Sequence, residues 1–477
     1  MGNNFLISIT IIFLILYFPR LIGWFGWIFP QKKLSCDRKH RFALIVPARD
    51  EGRAVLPLFQ SIKEQSYGRE CTKEAGERLF DTYVIVKNPH DEVIEYAKEI
   101  DAKVYVDEEQ KSKGDCLDYC IRHILMSGRK YDGYMIVDAD CRLDADFMKN
   151  MNDALESGAQ VITARKLVGN YTMNDASAYN NISCGISKNA DIKNRNIVNC
   201  NIINNSIIND SIINGNIVNS NMINNNITND SISDKINECS HNVRSMTACN
   251  HITCQNGLIW SIIDELGNRF KSAMGFTTML ITTGILIRGD LVEEWGGWNY
   301  RQTLTEDMEL LRDCACKGIR TFHYSYAKLY LEEAPSHADT NKRRTRWMTG
   351  MVEADRLYCR ELFKRHGMWA FADNYYILSL WIVYAYIGTL SAAVFFNIIT
   401  LNFWQAAAAF LLIYIVFFAL SVIAVLADWK NIGLSLAGKL GLMLMHPFFY
   451  MEYIFIVARA VLGLKPKSWE KIGRVQY

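Results

Sequence analysis

No Lys or Arg precedes Arg20, and the first apolar run is not followed by a small-residue cleavage site. Both absences argue against a cleaved secretory leader. The 13 cysteines contain no CxxC pair and no His/Cys set at zinc spacing, which removes the usual signatures of a thiol redox centre or a structural zinc. Their odd number and scattered positions read as reduced thiols on the cytoplasmic side. Charge of one sign is also missing: the formal net charge is +2. General polyanion binding is therefore not implied, and nucleic acid is not an expected partner.

What the chain does have is apolar residues, 50% of its 477, unevenly spread. Residues 5–29, 375–400, 403–427 and 436–462 each approach the 20 or so residues that cross a bilayer core as a helix. Trp24 and Trp27 suit a membrane interface, and Lys32, Lys33, Arg38, Lys39 and Arg41 crowd the far side of the first run. The positive-inside rule then puts the N-terminus outside and the central region in the cytoplasm of an integral membrane protein. The basic tail (Lys465, Lys467, Lys471, Arg474) also prefers the cytoplasm, so one of the last three runs is expected to be interfacial or re-entrant. The run 436–462, with Lys439, His446, Pro447, Glu452 and Arg459, is the least comfortable in lipid. The resulting division is 1–30 as a membrane helix, 41–338 as a catalytic domain, 339–370 as an interfacial region, 371–463 as a second membrane region and 464–477 as a tail.

Within the central region, 42–47 (FALIVP), 83–86 (YVIV), 103–106 (KVYV) and 134–140 (YMIVDAD) read as strands. Helical patterns at 55–64, 92–100 and 115–126 alternate with them. That order predicts an α/β domain with a Rossmann-like, mostly parallel sheet covered by helices on both faces, its ligands lying at the carboxyl ends of strands. Residues 180–237 break the pattern. Apolar residues recur every fifth position, from Ile192 through Met222 to Ile232, among Asn, Ser and Asp. The period resembles a pentapeptide-repeat β-solenoid; a low-complexity loop is the alternative. Either is an insertion without chemistry.

Three constellations carry chemistry. Asp138 and Asp140 follow a strand one residue apart, so both carboxylates enter one crevice and can share Mg²⁺ or Mn²⁺ with substrate phosphates. In Thr305-Glu306-Asp307 the threonine suits a helix N-cap, while Asp307 suits a general base. In Arg343-Arg344-Thr345-Arg346-Trp347 an Arg beside a Trp suits a diphosphate next to a sugar, although basic clusters near membranes also meet lipid headgroups.

In this order and spacing, the motifs resemble membrane-bound family 2 glycosyltransferases, the company of cellulose, hyaluronan and poly-N-acetylglucosamine synthases and of ceramide glucosyltransferase. The resemblance covers 41–350 apart from the insertion, plus the flanking spans. It implies a GT-A fold, inversion in one displacement, and a nucleotide-sugar donor, with UDP favoured. By position, Asp50 and Glu51 of VPARDE and Lys113 of SKGDCLDY fall on the donor side, as do Asp138, Arg343, Arg346 and Trp347. Asp138 and Asp140 become the metal ligands and Asp307 the catalytic base. Thr283 and Gly284 of ITTGILI, with Glu306, fall on the acceptor side. Three departures stand out: Lys87 occupies the place of a base-contacting acid, Arg343 replaces the Gln of QxxRW, and the long insertion falls between the DxD and the acceptor segment. The implied acceptor is a growing polysaccharide, which with so few spans calls for an accessory membrane subunit or a second copy. Single transfer to a lipid, or a decayed membrane scaffold, are the alternatives.

Overall fold

The computed structural model describes residues 2–68, 79–169, 250–400 and 402–464. The repeat-like stretch 180–237 and most of the basic tail lie outside these residues.

The chain opens with helix α1 (Gly2–Ile22) and a short 3-10 turn to Ile28. Eight strands then form one sheet among the described residues: β1 (Phe42–Pro47), β2 (Phe80–Val86), β3 (Lys103–Val106), β4 (Gly133–Ile136), β5 (Cys141–Leu143), β6 (Val161–Val168), β7 (Ile285–Arg288) and β8 (Thr321–Leu331). Their order is β3-β2-β1-β4-β7-β6-β8-β5. β1, β2, β3 and β4 pair in parallel, as does β6 with β8. β7, however, runs antiparallel between β4 and β6, and β5 antiparallel to β8. The parallel half follows the strand–helix alternation of the sequence. The antiparallel half does not, because its strands come from distant parts of the chain.

Both faces of the sheet are covered. Successive strand residues point to opposite sides. Leu44, Val46, Val84 and Met135 face α2 (Leu56–Lys63) through Leu58, Phe59 and Ile62. Ile45, Ile85 and Ile136 face Leu117, Ile121 and Ile124, which lie on the helix Lys113–Met126. With α3 (Val93–Lys98) preceding it, that helix is α4. α5 (Phe147–Ala154) follows, and β1 is a continuous apolar run because neither of its faces meets water.

After the insertion, α6 (His251–Ser261) passes through a π-helical turn (Ile262–Asn268) into α7 (Arg269–Met274). α8 (Gly289–Trp295), α9 (Glu306–Lys317) and the 28-residue α10 (His337–Lys364) complete the α/β part. Three long apolar helices end the chain: α11 (Met368–Phe395), α12 (Phe403–Ala427) and α13 (Leu436–Val461). Asn4–Ile28, α12 and α13 are each long and apolar enough to cross a membrane, and α11 is a pair of segments bent by 55° between Ser379 and Trp381. The bent element is therefore α11, whereas 436–462, the run expected to be least comfortable in lipid, forms one continuous helix. Three of its polar residues find partners within the protein. Lys439 Nζ donates to the Trp429 carbonyl at 2.9 Å, His446 Nδ1 meets Gln255 Oε1 at 2.7 Å, and Glu452 meets His337 Nε2 at 2.8 Å.

Buried ion pairs join the two parts. Arg312 on α9 donates from Nε to Asp355 Oδ1 on α10 at 2.7 Å, and Trp381 Nε1 of α11 reaches Asp355 Oδ2 at 2.9 Å. Arg165 on β6 pairs with Asp428 at the end of α12, whose other oxygen accepts from Ser261 at 2.5 Å. Removing one partner from a buried pair leaves an uncompensated charge. Asp355→Ala is accordingly expected to lower stability by about 3–5 kcal/mol, measured as the shift of the unfolding transition in detergent. A shift no larger than that of a surface Asp→Ala control would refute this account of the joint.

Candidate active site

The site forms where β4 ends. Ser112 caps α4 with a reciprocal Ser112/Asp115 box, which fixes Lys113 in the first turn. Lys113 Nζ forms an ion pair with Asp138 and lies 3.5 Å from Glu306 Oε1. Thr282 Oγ1 holds the same Glu306 oxygen at 2.8 Å. The antiparallel register pairs Ile136 with Ile285, and the residues just beyond stay in step: the Asp138 N–H donates to Thr283 Oγ1 at 3.0 Å. Thr283 thus positions the first carboxylate of the DAD turn. Gly284 is set back in the sheet, its N–H on the Ile136 carbonyl at 2.8 Å. A Cβ there would stand 2.2 Å from Leu329 Cδ2.

The acids sit where charge is disfavoured. Withdrawal from water and the adjacent Glu306 push the Asp307 carboxyl up to about 7, against the opposing pull of Lys113. Asp140 is pushed up to about 6 by withdrawal from water and then by Asp138, with Arg343 and Lys113 opposing. Thr305 stands at the N-cap of α9, but its side chain makes no capping bond. It packs instead against α10, where a Cβ on Gly350 would lie 2.3 Å from Thr305 Oγ1.

α10 brings the basic cluster. Arg343 pairs with the buried Glu333, lies over the Trp347 ring at 4.9 Å and is pulled down to about 10, by burial above all. Trp260 donates to Glu333 at 2.8 Å and meets Trp347 edge to face at 5.8 Å. Arg346 Nε is buried with no hydrogen-bond partner among the described residues. Arg344 points away from the site: it stacks on Phe449 at 3.6 Å and Tyr453 at 4.6 Å of α13.

One cavity of about 560 Å³ gathers Glu51, Lys113, Asp138, Asp140, Thr283, Glu306, Asp307, Arg343, Arg346 and Trp347. Asp50 and Gly284 are not on its wall. Asp50 adopts φ 56 and turns its carboxylate toward Arg49 Nε at 3.7 Å. Lys87 Nζ reaches the carbonyl of Gln110, a wall residue, at 3.3 Å. Glu333, Trp260, Arg20 and Lys271 also line the cavity, and nothing in their sequence neighbourhoods marks them as site residues.

A divalent cation fits the DAD turn. The donors are hard carboxylate oxygens, Asp138 already holds the Lys113 ammonium, and the proximity of Asp138 and Asp140 raises Asp140. No group of three or more His, Cys, Asp or Glu gathers at a metal spacing among the described residues. Two protein carboxylates would therefore leave the remaining coordination positions to phosphate and water.

Residues 245–422 match the family model for glycosyl transferase family group 2. That stretch includes the TED turn and the RRTRW cluster. In overall fold the chain is similar to the mannosyltransferase PcManGT of Pyrobaculum calidifontis, solved with GDP-Man and Mn²⁺. The TM-score is 0.50 at 13% identity, over 98% of this chain and 100% of that one. TarS 1–349 of S. aureus, in its UDP-GlcNAc complex, aligns at a TM-score of 0.37 and 11% identity over 86% of this chain and 92% of that one, too low to carry an argument. Among curated proteins no sequence matches. The sheet and its cover are of GT-A type, and three helices among the described residues are long and apolar enough to cross a membrane.

Gly350→Val should push α10, with Arg346 and Trp347, away from the TED turn. Misplacement by about 1 Å can cost about 10²-fold in rate. That loss is expected in turnover of a variant that still shows native helical content. Unchanged turnover would mean that the contact does not set the site.

Proposed function

We propose that the chain is an inverting, metal-dependent family 2 glycosyltransferase moving a hexose or N-acetylhexosamine from a nucleoside-diphosphate sugar, UDP-linked by the resemblance, to an acceptor held at the membrane. The reading rests above all on one cavity that brings the DAD carboxylates, Asp307 and the Arg346/Trp347 pair together. The motifs alone favour a growing polysaccharide as acceptor; a glycolipid is the second reading, favoured by the continuation of the cavity among the membrane-length helices.

Asp138 and Asp140 would hold Mg²⁺ or Mn²⁺, which when bound neutralises charge on the donor diphosphate. Lys113 and Arg346 add fixed positive charge on either side of that group. Trp347, braced by Trp260 and Arg343, borders the sugar. Asp307 takes the proton of the acceptor hydroxyl as its oxygen bonds to the anomeric carbon and the bond to the diphosphate breaks. A carboxyl raised to about 7 is well matched to that task near neutral pH. The basic flanks of the first span would put this cavity on the cytoplasmic side.

The test is nucleotide release by detergent-purified protein offered UDP- and GDP-sugars, Mg²⁺ or Mn²⁺, and membrane lipid. Asp307→Asn should lose about 10²–10⁴-fold in turnover with donor binding retained, whereas Asp140→Ala should weaken metal-dependent donor binding. Near-normal turnover by Asp307→Asn would remove the base from the mechanism. Because the active form of Asp307 is the carboxylate, kcat/KM should fall as the pH drops through about 7. A profile flat down to pH 5 would contradict the assignment.

A further inference from the structure

The catalytic cavity does not end at Asp307. It continues to Arg20 on α1, Lys271 on α7, and Tyr376, Ile377 and Tyr384 on α11. Lys271 is only 8% exposed, and its ammonium makes no hydrogen bond or ion pair among the described residues. Among the described residues Asp373 is the one carboxylate that acts on it, and Asp373 is already engaged. It accepts from the Thr277 N–H at 2.6 Å and from Thr277 Oγ1 at 2.8 Å, and lies 3.6 Å from Arg365. Arg20 and Arg312 add positive potential around Lys271, and Arg312 is itself neutralised by Asp355. A buried cation without a partner is unfavourable unless something else supplies the opposite charge. Burial and the neighbouring Arg20 pull Lys271 down to about 7, in keeping with that deficit.

We infer that Lys271 and Arg20 form an anion subsite at the membrane end of the cavity, which receives the phosphate of a lipid-linked sugar acceptor. The inference rests on the transferase reading above and narrows its acceptor. The donor diphosphate has its own cations, Lys113 and Arg346, at the opposite end beside the DAD turn. Arg312, whose charge is felt at Lys271, lies five residues beyond Asp307 on α9, about 7.5 Å along the axis at 1.5 Å per residue. On this proposal a sugar spans the interval, with its hydroxyl at Asp307 and its phosphate at Lys271. Beyond the cations the wall is Tyr376, Ile377 and Tyr384, on a helix pair of membrane-crossing composition. An apolar tail can leave there, whereas a free anion would have no use for it. Lys271 and Arg20 act by binding; the bonds made and broken remain those at Asp307 and the anomeric carbon.

Calorimetry on the full chain in detergent, with farnesyl phosphate, farnesol and inorganic phosphate as probes, tests the subsite. Farnesyl phosphate should bind more tightly than either fragment. Lys271→Met should weaken it by about tenfold or more, the usual consequence of losing a charge-assisted contact, and Lys271→Arg should restore it. Donor binding should be unchanged in both variants, and Arg346→Met should leave farnesyl phosphate binding intact. Wild-type affinity in Lys271→Met overturns the proposal. Equal affinity for inorganic phosphate and farnesyl phosphate overturns the lipid source and leaves a free-anion site. Should Lys271→Met fail to fold, Arg20→Gln carries the same readout. Lys271-dependent binding in a protein that takes no nucleotide sugar would sink the transferase reading and leave the subsite standing. Donor turnover without that binding would do the reverse.

Discussion

At Gly350 a single hydrogen separates the backbone of α10 from the side chain of Thr305, where a Cβ would stand 2.3 Å from Oγ1 and 2.6 Å from Cγ2. This close approach fixes the distance between two things that must act together: the acids that open α9 and the cations and indole carried by α10. The same helix presents Arg344 to Phe449 and Tyr453 of α13, and Asp355 to Arg312 and Trp381. A shift of α10 would therefore move the Arg/Trp cluster, the seat of α13 and the joint with α11 together. Interiors packed at crystal-like density transmit such shifts rather than absorbing them.

The charges of the site explain one another. Four carboxylates (Asp138, Asp140, Glu306, Asp307) share one cavity with Lys113, Arg343 and Arg346. Arg343 is largely taken up by Glu333, and Lys113 is divided between Asp138 and Glu306. Withdrawal from water falls hardest on Asp140 and Asp307, the two whose carboxyls are raised, and the neighbouring Asp138 and Glu306 add to it. A phosphate placed beside these acids would add to the repulsion unless a cation came with it.

Much of this was legible in the residues. β1, β2, β3 and β4 stand where short β-branched runs predicted them, since a strand buried on both faces needs an unbroken apolar stretch. The DAD turn follows β4 as position alone implied, and Asp307 opens α9. What periodicity could not show was pairing across the chain. Nothing local says that ITTGILI runs antiparallel to YMIV, yet that register is what sets Thr283 against Asp138 and pushes Gly284 back into the sheet. Lys271 illustrates the same limit: in NRFKSAM it reads as one polar residue of a short helix, and its isolation comes from Asp373 being claimed by Thr277 some hundred positions away. The bend in α11 has no signal in the sequence because the residues on both sides of the break are mostly apolar, whereas the polar residues of α13 find their partners only in the fold.

Those polar residues have a consequence for how the protein is made. His446 meets Gln255 on α6, Glu452 meets His337 on α10, and Lys439 is closed off by Trp429. As an isolated segment, α13 would carry these groups into hydrocarbon unpaired, at a steep penalty. A ribosome, however, delivers it after α6 and α10, the helices that supply two of its partners. The α/β domain is then a template on which α13 is seated, and order of synthesis becomes part of the membrane topology.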